Sequence, residues 1–213
     1  MMLLALLLQT AACPNPDALP APVAQARCRG VALAQAQRWR EAAGVFEGAA
    51  KDLKGAGAAG LWALAGNAWL AAGDGARAGA ALDSALVLSE GRSDFDKGEL
   101  RLDRARDAVA AGDLDAGRAV LDQALKTVPE DPLAWLLSAT LARRMGQPRR
   151  AATDIAEALK RAPDDAAVQL EAGNIAALAG EAERARERWA EAARLQPDGP
   201  SGASAKAALA QFN

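Results

Sequence analysis

Two cysteines, Cys13 and Cys28, are the most nucleophilic side chains in this 213-residue chain, and no histidine accompanies them. Histidine is the commonest general base and a common metal ligand near neutral pH, so Cys–His and Ser–His couples are excluded outright. The serines stand singly. Asp and Glu are spread at ordinary density along the chain, with no pairing that suggests two carboxylates working in one cleft. A Gly-rich stretch between Lys51 and Gly60, ending KGAGAAG, lacks the preceding strand and the Gly-Lys-Ser/Thr ending of a phosphate-binding loop, and reads as a linker. The expectation is a chain that is not an enzyme and uses no metal and no cofactor.

What the cysteines do depends on the compartment. In an oxidising envelope an even pair reads as one disulfide, Cys13 with Cys28. Residues 1–12, MMLLALLLQTAA, form an apolar run ending in small residues, similar to the core and cleavage site of a secretory signal peptide. The run is too short to span a bilayer and carries no basic residue. It leads into a Pro-rich segment at 13–22, CPNPDALPAP, able to fold back onto the helix that bears Cys28. Thr10-Ala11-Ala12-Cys13 also approximates a lipobox, with Thr where Leu is usual. Acylation of Cys13 would anchor the chain to a membrane and leave Cys28 unpaired. Cys28 also suits the role of a small buried apolar residue. The resulting expectation is a bacterial, exported protein of the periplasm or cell envelope, with the cytoplasm as the alternative.

The elements that must carry these residues are helices. The chain is 51% hydrophobic and 4% aromatic, with no Tyr, so Ala and Leu dominate its apolar content. Both are strong helix formers, and strand-forming residues are too sparse for a sheet. With 25 basic and 27 acidic residues the chain has no basic footprint for nucleic acid.

Self-similarity organises the pattern. Gly112, Gly146 and Gly180 repeat every 34 residues, as do Pro129, Pro163 and Pro197, and Ala124, Ala158 and Ala192. Residues 59–92 hold Trp62, Ala65, Gly66, Trp69, Ala78 and Leu82, with Glu90 in place of the terminal Pro. Residues 132–165 hold Trp135, Ala151, Ile155, Ala158 and Pro163. Residues 166–199 hold Ala172, Gly173, Ala185, Trp189, Ala192 and Pro197. The copy at 98–131 keeps Ala105, Gly112, Leu121, Ala124 and Pro129 but places Arg101 and Arg104 where large apolar residues are wanted. The copy at 23–56 keeps Gly30, Ala42, Phe46 and Ala49.

This period and these positions resemble the tetratricopeptide repeat, two antiparallel helices with a W-x2-L-G-x2-Y, A-x3-F, P signature. The resemblance implies an all-α, right-handed superhelical solenoid of antiparallel helix pairs: five repeats, then a capping helix at 200–213. Small residues at Gly30, Gly66 and Gly173 let paired helices approach while Trp or Phe fills the space. Gly73, Gly112, Gly146 and Gly180 end first helices. Pro129, Pro163 and Pro197 stop second helices. Asp131 precedes Pro132 as an N-cap, and Asp164 or Asp165 caps the fifth repeat. Ser93 to Lys97 are extra to the period, with a capping box expected at Asp96 to Glu99.

The resemblance further implies a protein-binding role, with an extended segment of a partner lying along the first helices. In family register that groove is lined by Asn67, Leu70, Leu102, Arg106, Leu136, Thr140, Arg143, Leu170 and Asn174. Asn67 and Asn174 take positions where family members hydrogen-bond a peptide backbone; an Asn there also serves simply as a solvated polar residue. Asp103 and Arg106 are spaced to pair within one helix. Arg101 and Arg104 are expected to pair with a carboxylate such as Asp83, because a buried unpaired charge costs several kcal/mol. The partner is expected to be a protein or peptide. Membrane contact is expected only through a lipidated Cys13, and self-association into a structural homo-oligomer is the competing role.

Overall fold

The computed structural model describes residues 21–212. Among them are eleven α-helices and no strand: α1 Ala21–Gln35, α2 Trp39–Lys51, α3 Gly55–Ala71, α4 Gly75–Val87, α5 Asp94–Ala111, α6 Leu114–Thr127, α7 Pro132–Arg144, α8 Pro148–Arg161, α9 Ala166–Leu178, α10 Ala182–Leu195 and α11 Pro200–Gln211. The chain divides into two compact units, the described residues up to Gln123 and those from Ala124 onward. The signal-like run at 1–12 and most of the Pro-rich leader lie outside the described residues.

Within a pair, the helices close on a glycine facing a large side chain sixteen residues further on. A Cβ built on Gly30 would lie 2.2 Å from Cε1 of Phe46, one on Gly66 2.6 Å from Cγ of Leu82, and one on Gly173 2.4 Å from Cδ1 of Trp189. All three large residues are buried. Ala105 with Leu121 and Ala139 with Ile155 occupy the same register, all buried, with one more carbon on the small partner. The expected exchange of a small residue for close helix approach is therefore present where the sequence places it.

The turns between paired helices share one hydrogen-bond pattern. Gly73 donates to the carbonyl of Leu70 at 3.1 Å and Asp74 to that of Trp69 at 2.9 Å. The same two bonds recur at Gly112 and Asp113, Gly146 and Gln147, and Gly180 and Glu181. Each of these glycines has a positive φ, between 66° and 83°, where a Cβ is penalised. The first pair makes the identical turn with Gln37 at φ 58°; Gln37 donates to Ala34 and Arg38 to Leu33, each at 2.9 Å.

Capping follows the expected residues with one exception. The Asp131 side chain accepts from the N–H of Leu133 at 2.9 Å, with Pro132 opening α7. Asp165 accepts from Ala167 and Val168 at 2.7 and 3.0 Å. The capping box expected at Asp96 to Glu99 lies three residues upstream. Ser93 Oγ accepts from the N–H of Asp96 at 3.1 Å and donates to its carboxylate at 2.9 Å. Hence α5 begins at Asp94 and absorbs most of the extra residues as helix.

The stretch read as a linker is also helical. From Gly55 to Gly60 the chain forms the first turns of α3, with Ala58 and Ala59 fully buried. Tertiary burial of these alanines outweighs the poor helix propensity of the intervening glycines.

The first unit's core gathers Val31, Phe46, Leu61, Ala65 and Trp69 among α1 to α4. In the second, Ile155, Val168 and Ile175 are buried with Trp135 packed beside them. At its C-terminal end α11 lays Ala205, Ala208, Leu209 and Phe212 against Trp189. The Phe212 and Trp189 rings meet edge to face, 5.0 Å between centroids.

Candidate functional site

The first helices carry buried carboxylates in matching places. Asp103 on α5 and Glu171 on α9 each precede a polar residue by three positions, Arg106 and Asn174. In the first unit the Asp103 carboxylate accepts from Asn67 Nδ2 of α3 at 2.8 Å and pairs with Arg106. In the second, Arg143 of α7 forks onto Glu171, Nε to one oxygen at 2.6 Å and Nη2 to the other at 3.2 Å. Asn174 Nδ2 donates to the same carboxylate at 3.2 Å, and Asn174 Oδ1 accepts the indole N–H of Trp189 at 3.0 Å. Both carboxylates thus tie one first helix to the first helix before it.

Burial pushes the Asp103 carboxyl above the ordinary carboxylate range, opposed by the Arg106 charge and the Asn67 hydrogen bond. Asp107, one turn on, is also raised by burial, opposed by Arg104 and reinforced by the charge of Asp83. Arg104 holds both acids, at 2.8 Å from Asp83 and 3.2 Å from Asp107. The charge placed at a core-type position is therefore matched, as expected, by Asp83. Gly79 makes room for this cluster, since a Cβ there would stand 2.8 Å from an Asp107 oxygen.

The groove residues separate into two kinds. Leu70, Leu136, Thr140, Leu170 and Arg143 are half-buried and keep an outer surface. Leu102 does not: it is fully buried. It shares its register with Leu136 and Leu170, but neighbouring side chains close over it, and an isobutyl group left without solvent contact supports the core, not a ligand. The amide of Asn67 is turned inward, its Nδ2 on Asp103 and its Oδ1 buried without a donor. Asn174, half-buried like Asn67, is by contrast engaged on both amide atoms.

Sequence reasoning did not single out Glu171 or the indole N–H of Trp189. The spacing that marks Asp103 to Arg106 recurs as Glu171 to Asn174 and is the signal that points to the first of them. Cys28, half-buried on α1, is in a disulfide; Cys13, the other member of the expected pair, lies outside the described residues. Among the described residues no helix is long and apolar enough to cross a membrane.

Two tetratricopeptide-repeat family models match the chain, over residues 98–141 and 136–200. Solved structures of similar fold include MamA from Desulfovibrio magneticus RS-1, 14% identical, with a TM-score of 0.69 over 84% of this chain and 97% of that one. YrrB, described as a tetratricopeptide-repeat protein with an unusual peptide-binding site, is 20% identical, with a TM-score of 0.61 over 84% of this chain and 88% of that one. The Cut9–Hcn1 assembly of the anaphase-promoting complex gives 16% identity and a TM-score of 0.73, with 99% of this chain matching 39% of its counterpart. No curated protein sequence matches. The chain is thus an all-helical protein of tetratricopeptide-repeat fold, with the repeat itself recognised at residues 98–200.

Proposed function

We propose that this chain is a non-catalytic protein-interaction module that holds an extended segment of a partner protein along the outer faces of its first helices. Folds of stacked helix pairs act as interaction scaffolds through such faces. One observation carries the reading. In the second unit Leu136, Thr140 and Arg143 follow each other by a turn along α7, and Leu170 and Asn174 do so along α9. All five keep solvent-exposed surface beside hydrogen-bonding groups already oriented by Arg143 and Glu171. Apolar contact with a few fixed polar groups is the composition of a segment-binding surface.

A photo-crosslinking residue at Thr140 tests this in the native cell, with one at the exposed Ala152 of α8 as control. The expected result is a discrete crosslinked protein from position 140 and none from 152. Equal labelling at both, or none at 140, rejects the assignment of this face.

The same reading puts the module in an exported, oxidising compartment of the cell envelope. Its supports are the apolar run at 1–12 and the disulfide state of Cys28, a bond that persists outside the reducing cytosol. Fusing the N-terminal segment to alkaline phosphatase, which is active only after export, should give an active reporter; an inactive one removes this part of the reading.

A further inference from the structure

The Arg143 side chain is 27% exposed while the carboxylate it grips is 8% exposed. A guanidinium is planar and has five N–H groups in a fixed fork. Glu171 takes Nε and one hydrogen of Nη2, which leaves Nη1 and the second Nη2 hydrogen on the edges turned away from it. The carboxylate is itself held by Asn174, and Asn174 by Trp189, whose ring is clamped between Gly173 and Phe212. Four side chains from three helices therefore fix the orientation of one half-buried donor edge. The charges of Arg143 and Glu171 cancel, so that edge offers hydrogen-bond donors without net charge.

Resting on the protein-binding reading above, we propose that Arg143 is the residue by which the second unit grips the main chain of its partner. Its outer N–H edge donates to carbonyl oxygens of an extended, electrically neutral segment whose apolar side chains lie on Leu136 and Leu170. Glu171 is a positioning residue, and Asn174 and Trp189 support it. An acidic side chain would compete with Glu171 for one guanidinium and add a second negative charge beside a buried carboxylate; a carbonyl oxygen adds the hydrogen bonds alone. The first unit does not repeat this arrangement, because the place of Arg143 is held there by Leu70 on α3 and Val109 on α5.

The test selects random linear peptides displayed on phage against the full chain and uses the enriched peptide as the probe in calorimetric titration. Arg143→Met combined with Glu171→Leu replaces the ion pair with apolar groups, so it removes the donors without stranding a buried charge. Arg143→Lys keeps the charge and loses the fork. Both are expected to unfold cooperatively like the parent and to bind the probe at least about tenfold more weakly, the scale for losing a buried charged hydrogen-bond partner. Affinity of the parent should change less than about twofold between low and high salt, since no net charge is engaged. Undiminished binding by the folded variants overturns the role of Arg143 and leaves the protein-binding reading intact. Selected peptides that require Asp or Glu and lose affinity steeply in salt overturn the main-chain assignment. Failure to enrich any peptide rejects the protein-binding reading itself.

Discussion

Gly173 and Trp189 are packed so closely that a single added carbon on the glycine would stand 2.4 Å from the indole Cδ1. The indole cannot retreat without losing its hydrogen bond to Asn174 and its edge contact with Phe212. Gly173→Ala is therefore expected to destabilise the protein by about 1–3 kcal/mol, the usual cost of overpacking. Gly66→Ala, facing Leu82 at 2.6 Å, should behave alike. Gly44, within α2, has nothing within 4 Å of a built Cβ. Gly44→Ala should stabilise by roughly 0.5–1 kcal/mol, because it only removes backbone freedom from the unfolded chain. Urea unfolding of the three variants checks the signs, and a loss of stability at Gly44 would contradict the packing argument.

Asp103 should make acidification less harmful than it would otherwise be. Its carboxyl is raised by burial, so the folded state binds its proton more readily than the unfolded state does. The contribution of such a group to stability grows as pH falls from neutral through the folded pKa, and stops changing below the unfolded value near ~3.9. Asp103→Asn cannot titrate. The stability of the parent relative to Asp103→Asn is therefore expected to rise between pH 7 and about pH 4. Glu41 and Glu47, held low by hydrogen bonds from Arg38 and Lys51, weaken both proteins alike on acidification and cancel in the comparison. A difference that stays constant with pH would show that burial does not penalise the Asp103 charge.

The fold was legible because its signals are local. A glycine in the left-handed region, a proline two residues past a helix end and an aspartate before a proline each act within one turn of chain, and the 34-residue period repeats them in phase. The site was legible only in outline. Register places Leu102 with Leu136 and Leu170, but depth depends on which neighbours close over a face, and that is a property of packing. Asn67 and Asn174 look equivalent in sequence. They part because Asn67 meets Asp103 across helices, whereas Asn174 is caught between Glu171 on its own helix and the indole of Trp189. The glycine-rich start of α3 was misleading for a related reason, since burial of Ala58 and Ala59 overrode local propensity.

Ser93, and not Asp96, holds the start of α5. Its hydroxyl accepts the Asp96 N–H and donates back to the Asp96 side chain, and Asp94 and Asp96 lie in the first turn, where the helix dipole favours negative charge. Ser93→Ala is expected to cost about 1 kcal/mol, the typical loss for an N-cap. Thermal unfolding checks this, because a cap centred on Asp96 would leave Ser93→Ala within about 0.5 kcal/mol of the parent.

Gln37 is the residue that most departs from its counterparts. Gly73, Gly112, Gly146 and Gly180 take the equivalent place with positive φ, and Gln37 adopts φ 58° with the same two turn hydrogen bonds. A Cβ in the left-handed region costs roughly 1–2 kcal/mol, partly offset here because glycine loses more chain entropy on folding. Gln37→Gly is therefore expected to stabilise the first helix pair by about 0.5–1 kcal/mol. The reverse change, Gly146→Gln, should cost about 1 kcal/mol or more at the turn between α7 and α8. Hydrogen exchange at the amides of α1 and α2 reads the first change locally. Faster exchange in Gln37→Gly than in the parent would mean that the Gln37 side chain contributes a contact that outweighs its backbone strain.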